Sequence, residues 1–366
     1  MIRILAAASP GEVRVAAVDA DGLLDYALWR RGAPDGVGDL HRGRITAHMP
    51  TLAGSFVAIG GGDGFLPDSE GGAGEGTILG VRVTRAAQGG KGPRLTAKLD
   101  EAERALVGSG PPALLRRGPN AVARLARLHP DAPVWVDDTA VLAELRPLLG
   151  KRVSLVASSF DDDAESAVEA LGETDCALPG GARMSVHPTP ALTAIDVDLA
   201  AAVAGRGGKA ASHAAGNRAL LPALARQIRL RNLAGAILVD LAGLSPRRRA
   251  ALGPDFVAAL APDPLQPRFL GFSALGLAEI LRARVHPPLH ALLAGPHAAG
   301  LAGLRRLAAV IAVRPERAPL LAAAPAVCAA LEQDTHALAD LARRAGRPLM
   351  LRPEPGLAPL GWRVEE

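Results

Sequence analysis

The chain has 366 residues, 49% hydrophobic and 21% charged, which excludes an intrinsically disordered protein and allows two or three domains. Aromatic residues are only 3%, so any core must be built from Leu, Val, Ile and Ala. A formal charge of +4 and a pI near 9.6 permit nucleic-acid binding without the strong bias of a histone-like protein.

Two isolated cysteines, Cys176 and Cys328, make neither a disulfide framework nor a zinc knuckle. The basic residues are almost all arginine, with lysine only at Lys91, Lys98, Lys151 and Lys209. Their planar forks suit phosphate. The opening MIRILAAASPGEVRV is too weakly apolar for a signal peptide, and LAAVIAV at 307–313 is far short of the roughly 18 residues of a membrane span. A cytoplasmic protein with no membrane partner is expected.

In chain order, residues 1–35 alternate in short apolar runs and read as strands and hairpins, with Asp21-Gly22 as a tight turn. Residues 40–99 hold strand-length runs at 44–48, 54–59, 77–84 and 94–99, separated by Gly-dense stretches, the pattern of a small barrel. Residues 101–127 read as helical at both ends, broken by Pro111-Pro112. Strands at 134–136 and 151–157 alternate with helices at 139–148 and 161–171.

After a Gly180-Gly181 turn, 183–187 and 192–197 read as adjacent strands. A Gly/Ala loop at 200–216, a long amphipathic helix at 217–231 and a nearly all-apolar strand at 236–241 follow. Strand, helix and apolar strand together predict a crossover in an α/β sheet with both faces covered. Helices are expected at 245–260 and 274–284 around a strand at 269–272. The tail from about 286 should carry helices at 299–309, 319–332 and 334–345 and an extended segment at 348–352.

Chemistry concentrates in three acids. Asp196 and Asp198 lie two apart on one strand, which puts both carboxylates on one face. Asp240 lies late in the next strand, so neighbouring strands would bring all three to one sheet end, where α/β sheets place ligands. Clustered carboxylates repel unless a cation neutralises them, and hard oxygen donors suit Mg²⁺ or Mn²⁺. Such an ion can orient a water for attack on a phosphodiester. Taken singly, each acid reads first as an ordinary turn former or helix cap.

Arg226, Arg229 and Arg231 precede Asp240, and Arg247, Arg248 and Arg249 follow it. They could position phosphate or simply solvate helix faces. In the barrel-like segment, Phe56 and Phe65 lie among Arg42, Arg44, Arg82, Arg85, Lys91, Arg94 and Lys98, either as a stacking platform for single-stranded RNA or as core aromatics.

Five stretches carry a resemblance. They are GRITAHMPTLAGSFVAIG followed by GFLP, then GGKGPRLT at 89–96, GGARMSVHPTPALTAIDVD at 180–198, ARQIRLRNLAGAILVDL at 225–241 and FSALGLAE at 272–279. In this order they resemble the catalytic region of the ribonuclease E/G family. The resemblance implies an α/β fold: an RNase H-like catalytic region (1–38 and 100–290) split by an inserted OB-fold barrel (39–99), with a small α+β element at 291–366.

It further implies a magnesium-dependent endoribonuclease, acting on single-stranded RNA in processing or decay and leaving a 5′-phosphate. Asp196 and Asp240 fall on the metal-ligand positions. Asp198 falls on a third active-site position that is usually Asn. Phe56 and Phe65 match the base-stacking region, and Lys91 matches a basic position in the RNA channel. A ribosomal RNA precursor is a family-based substrate.

Departures accompany the likeness. Leu199–Ala201 replaces a small polar and a basic residue, Gly243 replaces an acid, and Ala274 replaces an arginine. The segment after Leu99 omits much of the family's sensor for a 5′-monophosphate. The Cys-Pro-x-Cys zinc link is absent, so no structural zinc is expected and a homodimer would need another contact. The expected function is therefore an endoribonuclease or, alternatively, a catalytically weak or inactive RNA-binding relative.

Overall fold

The computed structural model describes residues 1–199, 209–241, 243–317, 319–348 and 350–365, with backbone alone over 209–212. It divides into two compact units: residues 1–33, 121–283 and 288–366 form one, and 34–120 with 284–287 the other.

Three strands open the first unit: β1 (Arg3–Ser9), β2 (Glu12–Asp19) and β3 (Gly22–Trp29). They form an antiparallel meander. The turn between β1 and β2 requires glycine, because Gly11 has φ +78° and a Cβ there would meet the Ala337 Cβ at 2.6 Å.

The second unit holds β4 (Leu40–Met49), β5 (Gly54–Ala58), β6 (Asp63–Pro67), β7 (Ile78–Arg85) and β8 (Arg94–Thr96). Pairings run β5–β6–β8–β7–β4, and β4 returns to β5, so five strands close a barrel. Ile45, Val57, Leu66, Val81, Val83 and Leu95 fill it. Helix α1 (Glu101–Val107) begins at a capping box between Asp100 and Glu103, and β9 (Ala113–Arg116) adds to β4 outside the closed barrel. β9 is absent from the sequence expectations.

The chain returns to the first unit with α2 (Ala121–Leu128), β10 (Val134–Val136), α3 (Thr139–Leu149), β11 (Val153–Leu155) and α4 (Asp162–Glu169). β10 pairs parallel to β1 and β11 parallel to β10, giving the order β11-β10-β1-β2-β3. Both faces of this sheet are buried: Ile4, Val15 and Val134 face α2 and α3, while Leu5, Ala16 and Val18 face Phe160 and Val168.

A second sheet follows, from β12 (Asp175–Ala177), β13 (Arg183–Pro188), β14 (Leu192–Asp198), the 22-residue α5 (Lys209–Leu230) and β15 (Gly235–Leu241). It is completed by α6 (Pro246–Ala250), α7 (Gly253–Leu260), β16 (Arg268–Phe272) and β17 (Ala278–Arg282). The strand order is β12-β13-β14-β15-β17-β16. Ile195, Val197, Leu221, Leu224, Ile228, Ile237, Val239 and Phe256 form its core. Of the range 1–38 and 100–290 anticipated as the catalytic region, residues 34–38, 100–120 and 284–287 fall in the barrel unit; the rest contains two separate sheets, and the three aspartates lie on the second.

The tail forms α8 (Leu289–Leu293), α9 (Gly295–Val313), β18 (Leu320–Ala323), α10 (Pro325–Gln333), α11 (Thr335–Ala345), β19 (Leu351–Pro353) and β20 (Trp362–Glu365). Its small sheet has the order β19-β18-β20. Among the described residues, no helix is long and apolar enough to cross a membrane.

Three expectations need correction. Helix α5 starts at Lys209, not Asn217, because the alanine-rich stretch 210–215 extends it; the rest of the predicted loop, 200–208, lies outside the described residues. The helix expected at 274–284 is instead a turn followed by β17. Alternating burial of Ala278, Ile280 and Arg282 shows period 2, which a short apolar run leaves ambiguous in sequence. The segment 319–332 starts as the buried strand β18, and Pro325 opens α10 at the first helical turn.

Candidate active site

β14 and β15 owe their form to alternation. Thr193, Ile195 and Val197 are buried on one face of β14, and Ile237, Val239 and Leu241 on the same face of β15. That face packs on α5, whose Leu221, Leu224 and Ile228 supply the other half of the core. The opposite face is not closed as the sequence suggested. Asp196, Asp198 and Asp240 are all exposed on it.

The two strands run parallel, and Asp196 is the register partner of Asp240. Parallel neighbours are about 4.8 Å apart and point partner side chains to the same side. The two carboxylates therefore stand next to each other at the C-terminal ends of adjacent strands. The row continues across the sheet, since Ser185 on β13 is opposite Asp196 and Asp175 on β12 is opposite Ser185. Ser185 Oγ donates to Asp175 Oδ1 at 2.5 Å.

Asp198 lies one row further along, opposite Arg183, whose guanidinium is 3.9 Å from Asp175. Among the described residues, Asp196, Asp198 and Asp240 make no side-chain hydrogen bond or ion pair. Nor does any group of three or more His, Cys, Asp or Glu suited to a metal occur there. The structure brings Asp196 and Asp240 together as a pair and leaves Asp198 beside them. Two adjacent, unneutralised carboxylates still suit Mg²⁺, which typically takes one or two protein carboxylates and completes its shell with water and phosphate.

The departures acquire physical form. Leu199 packs against the core of the second sheet; Ala200 and Ala201 lie outside the described residues. Gly243 has φ +63°, and a Cβ there would fall 2.1 Å from His213 Nδ1. The imidazole fills the space an acidic side chain would need. Its Nδ1 is buried and has no partner among the described residues. No sequence signal pointed to His213, because the contact joins α5 to a turn thirty residues on.

Several basic residues near Asp240 serve the protein itself. Arg229 forms an ion pair with Asp25 at 3.1 Å and donates to the carbonyls of Leu24, at 2.6 Å, and Pro262, at 3.2 Å. Arg231 is buried and donates to the carbonyls of Ala170, Leu171 and Glu173. Burial pushes the Asp25 carboxyl up, against the opposing pull of Arg229 and of a hydrogen bond from His129.

In the barrel unit, Phe56 and Phe65 are register partners whose rings meet edge-to-face at 5.8 Å, and Phe56 is 36% exposed. Arg94 is opposite Phe65, and Arg85 is opposite Arg94. Phe56, Phe65, Arg94 and Arg85 thus form one outward row across four strands. Burial, with Arg94 and Arg284 nearby, holds the Arg85 guanidinium below its ordinary value. Arg44 and Lys91 are exposed. None of Arg44, Arg85, Lys91 and Arg94 forms an ion pair with a described acid. By contrast Lys98 pairs with Glu70 at 3.3 Å. Arg85 was among the basic residues that the sequence set around the two phenylalanines, and the register puts it in the row.

Residues 123–285 match the Ribonuclease E/G family. Ribonuclease E of Escherichia coli (strain K12) is 34% identical over 127 residues, 34% of this chain and 12% of that protein. Ribonuclease G of the same organism is 29% identical over 209 residues, 53% of this chain and 42% of that protein. Ribonuclease E of Nostoc sp. is 34% identical over 115 residues, 29% of this chain and 16% of that protein. The matches span less than half the length of each of these relatives.

Proposed function

Over residues 123–285 the chain belongs to the ribonuclease E/G family, and from that premise we propose that it is a metal-dependent endoribonuclease with Asp196 and Asp240 as its metal-binding pair. The observation that supports this most is the register of β14 and β15, which sets two exposed carboxylates side by side with no described cation. Mg²⁺ or Mn²⁺ bound there would supply Lewis acidity toward a phosphodiester and an activated water. Asp196 and Asp240 hold the ion's position. Asp198, one row along, accepts hydrogen bonds from water at the same strand end and raises the local negative charge.

The reading extends to the barrel. Phe56 and Phe65 stack bases of a single strand, while Arg44, Arg85, Lys91 and Arg94 attract its phosphates. The closed five-strand barrel supports the OB-fold reading, and the order β3-β2-β1-β10-β11 supports an RNase H-like first sheet. The substrate class is single-stranded RNA, a ribosomal precursor being one candidate. Arg229, engaged by Asp25 and two carbonyls, is omitted from the RNA-contacting set.

The test is cleavage of an unstructured RNA with Mg²⁺ or Mn²⁺ by the wild-type protein, Asp196→Asn and Asp240→Asn. Metal-dependent cleavage lost in both variants is expected. Equal cleavage by all three proteins would remove the assignment. RNA binding without cleavage under either metal would favour a binding protein, the reading that the His213 ring packed on Gly243 encourages.

A further inference from the structure

One arginine near the end of the second sheet, Arg249, has no side-chain partner among the described residues. β17 runs antiparallel to β15 with Ala278 opposite Val239, so the turn that precedes β17 lies at the strand end that carries Asp240. Two backbone bonds of 2.9 Å, Ser273 N–H to Leu277 O and Gly276 N–H to Ser273 O, close that turn. Gly276 has φ +87°, and a Cβ built there would fall 1.8 Å from Arg249 Nη1. Only glycine lets the guanidinium, reaching over from α6, lie against the turn.

The same side chain borders a cavity of about 440 Å³, whose walls also include Phe269, Phe272, Ser273 and Ala274. Arg249 Nε is buried and finds no acceptor among the described residues, and Arg248 Nη1 is in the same condition. No described acid pairs with either arginine. Arg249 is half-buried with its Nε turned away from solvent, and a charged donor lining a cavity without an acid partner is suited to an anion. A planar, permanently charged fork matches phosphate oxygens best. Ala274 offers only a methyl group to this cavity.

Resting on the endoribonuclease reading above, we propose that this cavity is a phosphate subsite, in which Arg249 receives a phosphate group of the RNA strand held at Asp196 and Asp240. Two sources share that chemistry, an internal phosphodiester and a 5′-terminal monophosphate.

The experiment is binding of a short unstructured RNA, labelled at its 3′ end, to the full chain with Ca²⁺ in place of Mg²⁺ across a salt series, by fluorescence anisotropy. The RNA is used with a 5′-hydroxyl and with a 5′-monophosphate. Arg249→Gln should weaken binding about tenfold and lower the slope of log affinity against log salt by about 0.7. Arg249→Lys keeps the charge but not the fork, so it should keep the slope and lose affinity several-fold. Loss with both RNAs assigns an internal phosphate; loss confined to the 5′-monophosphate assigns the strand end. Wild-type affinity and slope in Arg249→Gln, with an unchanged melting temperature, overturn the proposal. If that variant does not fold, Arg249→Lys carries the test, and wild-type affinity in it overturns the proposal. Failure of the wild-type protein to bind RNA at all strikes the endoribonuclease reading instead.

Discussion

Asp196 and Asp240 are register partners on adjacent parallel strands, both exposed, and neither is matched by a cation among the described residues. Forty-four positions separate them in the chain, and the α5 crossover brings them together. Like charges this close weaken the fold unless an ion relieves them, so the pair ties metal binding to stability.

Divalent metal should therefore raise the melting temperature of the wild-type protein. At about a hundred times its dissociation constant, Mg²⁺ adds about 2.7 kcal/mol. Asp240→Asn should lose that increment while melting no lower than wild type in EDTA. Its cleavage rate should fall by at least about a hundredfold. Calorimetry with and without Mg²⁺, beside the cleavage assay, checks both; an undiminished metal increment in the variant would place the ion elsewhere.

Gly243 should not accept the acid expected at its position. Gly243→Asp meets a positive φ and the His213 ring together, and should destabilise by about 1–3 kcal/mol in urea unfolding. His213→Ala should recover the steric part when combined with it. A neutral effect of Gly243→Asp alone would mean that the ring moves aside freely.

On the barrel, Phe56→Ala should weaken single-stranded RNA binding by about 1–3 kcal/mol with no change in salt slope, because stacking is not a charge effect. Arg94→Gln should instead reduce the slope by about 0.7. Titrations at several salt concentrations separate the two. Identical behaviour in both variants would contradict a row divided between stacking and phosphate contact.

Asp138 should mark part of the acid limb of stability. Burial alone would push its carboxyl up, but the backbone N–H of Val141 and the guanidiniums of Arg344 and Arg343 outweigh this and hold it below the ordinary 3.8. The folded value is depressed, so the unfolded chain binds the proton more readily. The contribution is present above about pH 3.8 and is lost as pH falls through the folded value. Asp138→Asn should flatten the stability profile in that acidic window while its amide oxygen still caps α3, accepting from the Ala140 and Val141 N–H groups as Asp138 does. Urea midpoints between pH 5 and the acid transition measure it.

Much of the local structure was legible in the sequence. The alternation in LTAIDVD fixed a strand with both acids on one face, and the glycine-punctuated runs of 40–99 specified strands without a normal helix. Each depends on neighbours in the chain, where periodicity and turn chemistry act. The segment AEILR was different: five residues cannot separate a strand from a helical turn, and pairing with β15 and β16 decided it.

What the sequence by itself determined was the residue inventory of the site: Asp196, Asp198 and Asp240 at strand ends, and aromatic and basic residues in the barrel. What only the tertiary structure decided was their partition. Register set Asp196 beside Asp240 and moved Asp198 one row away; α5 put His213 against Gly243, and α6 laid Arg249 over Gly276. These relationships join residues distant in the chain through packing and hydrogen-bonded register, and neither is encoded in local spacing.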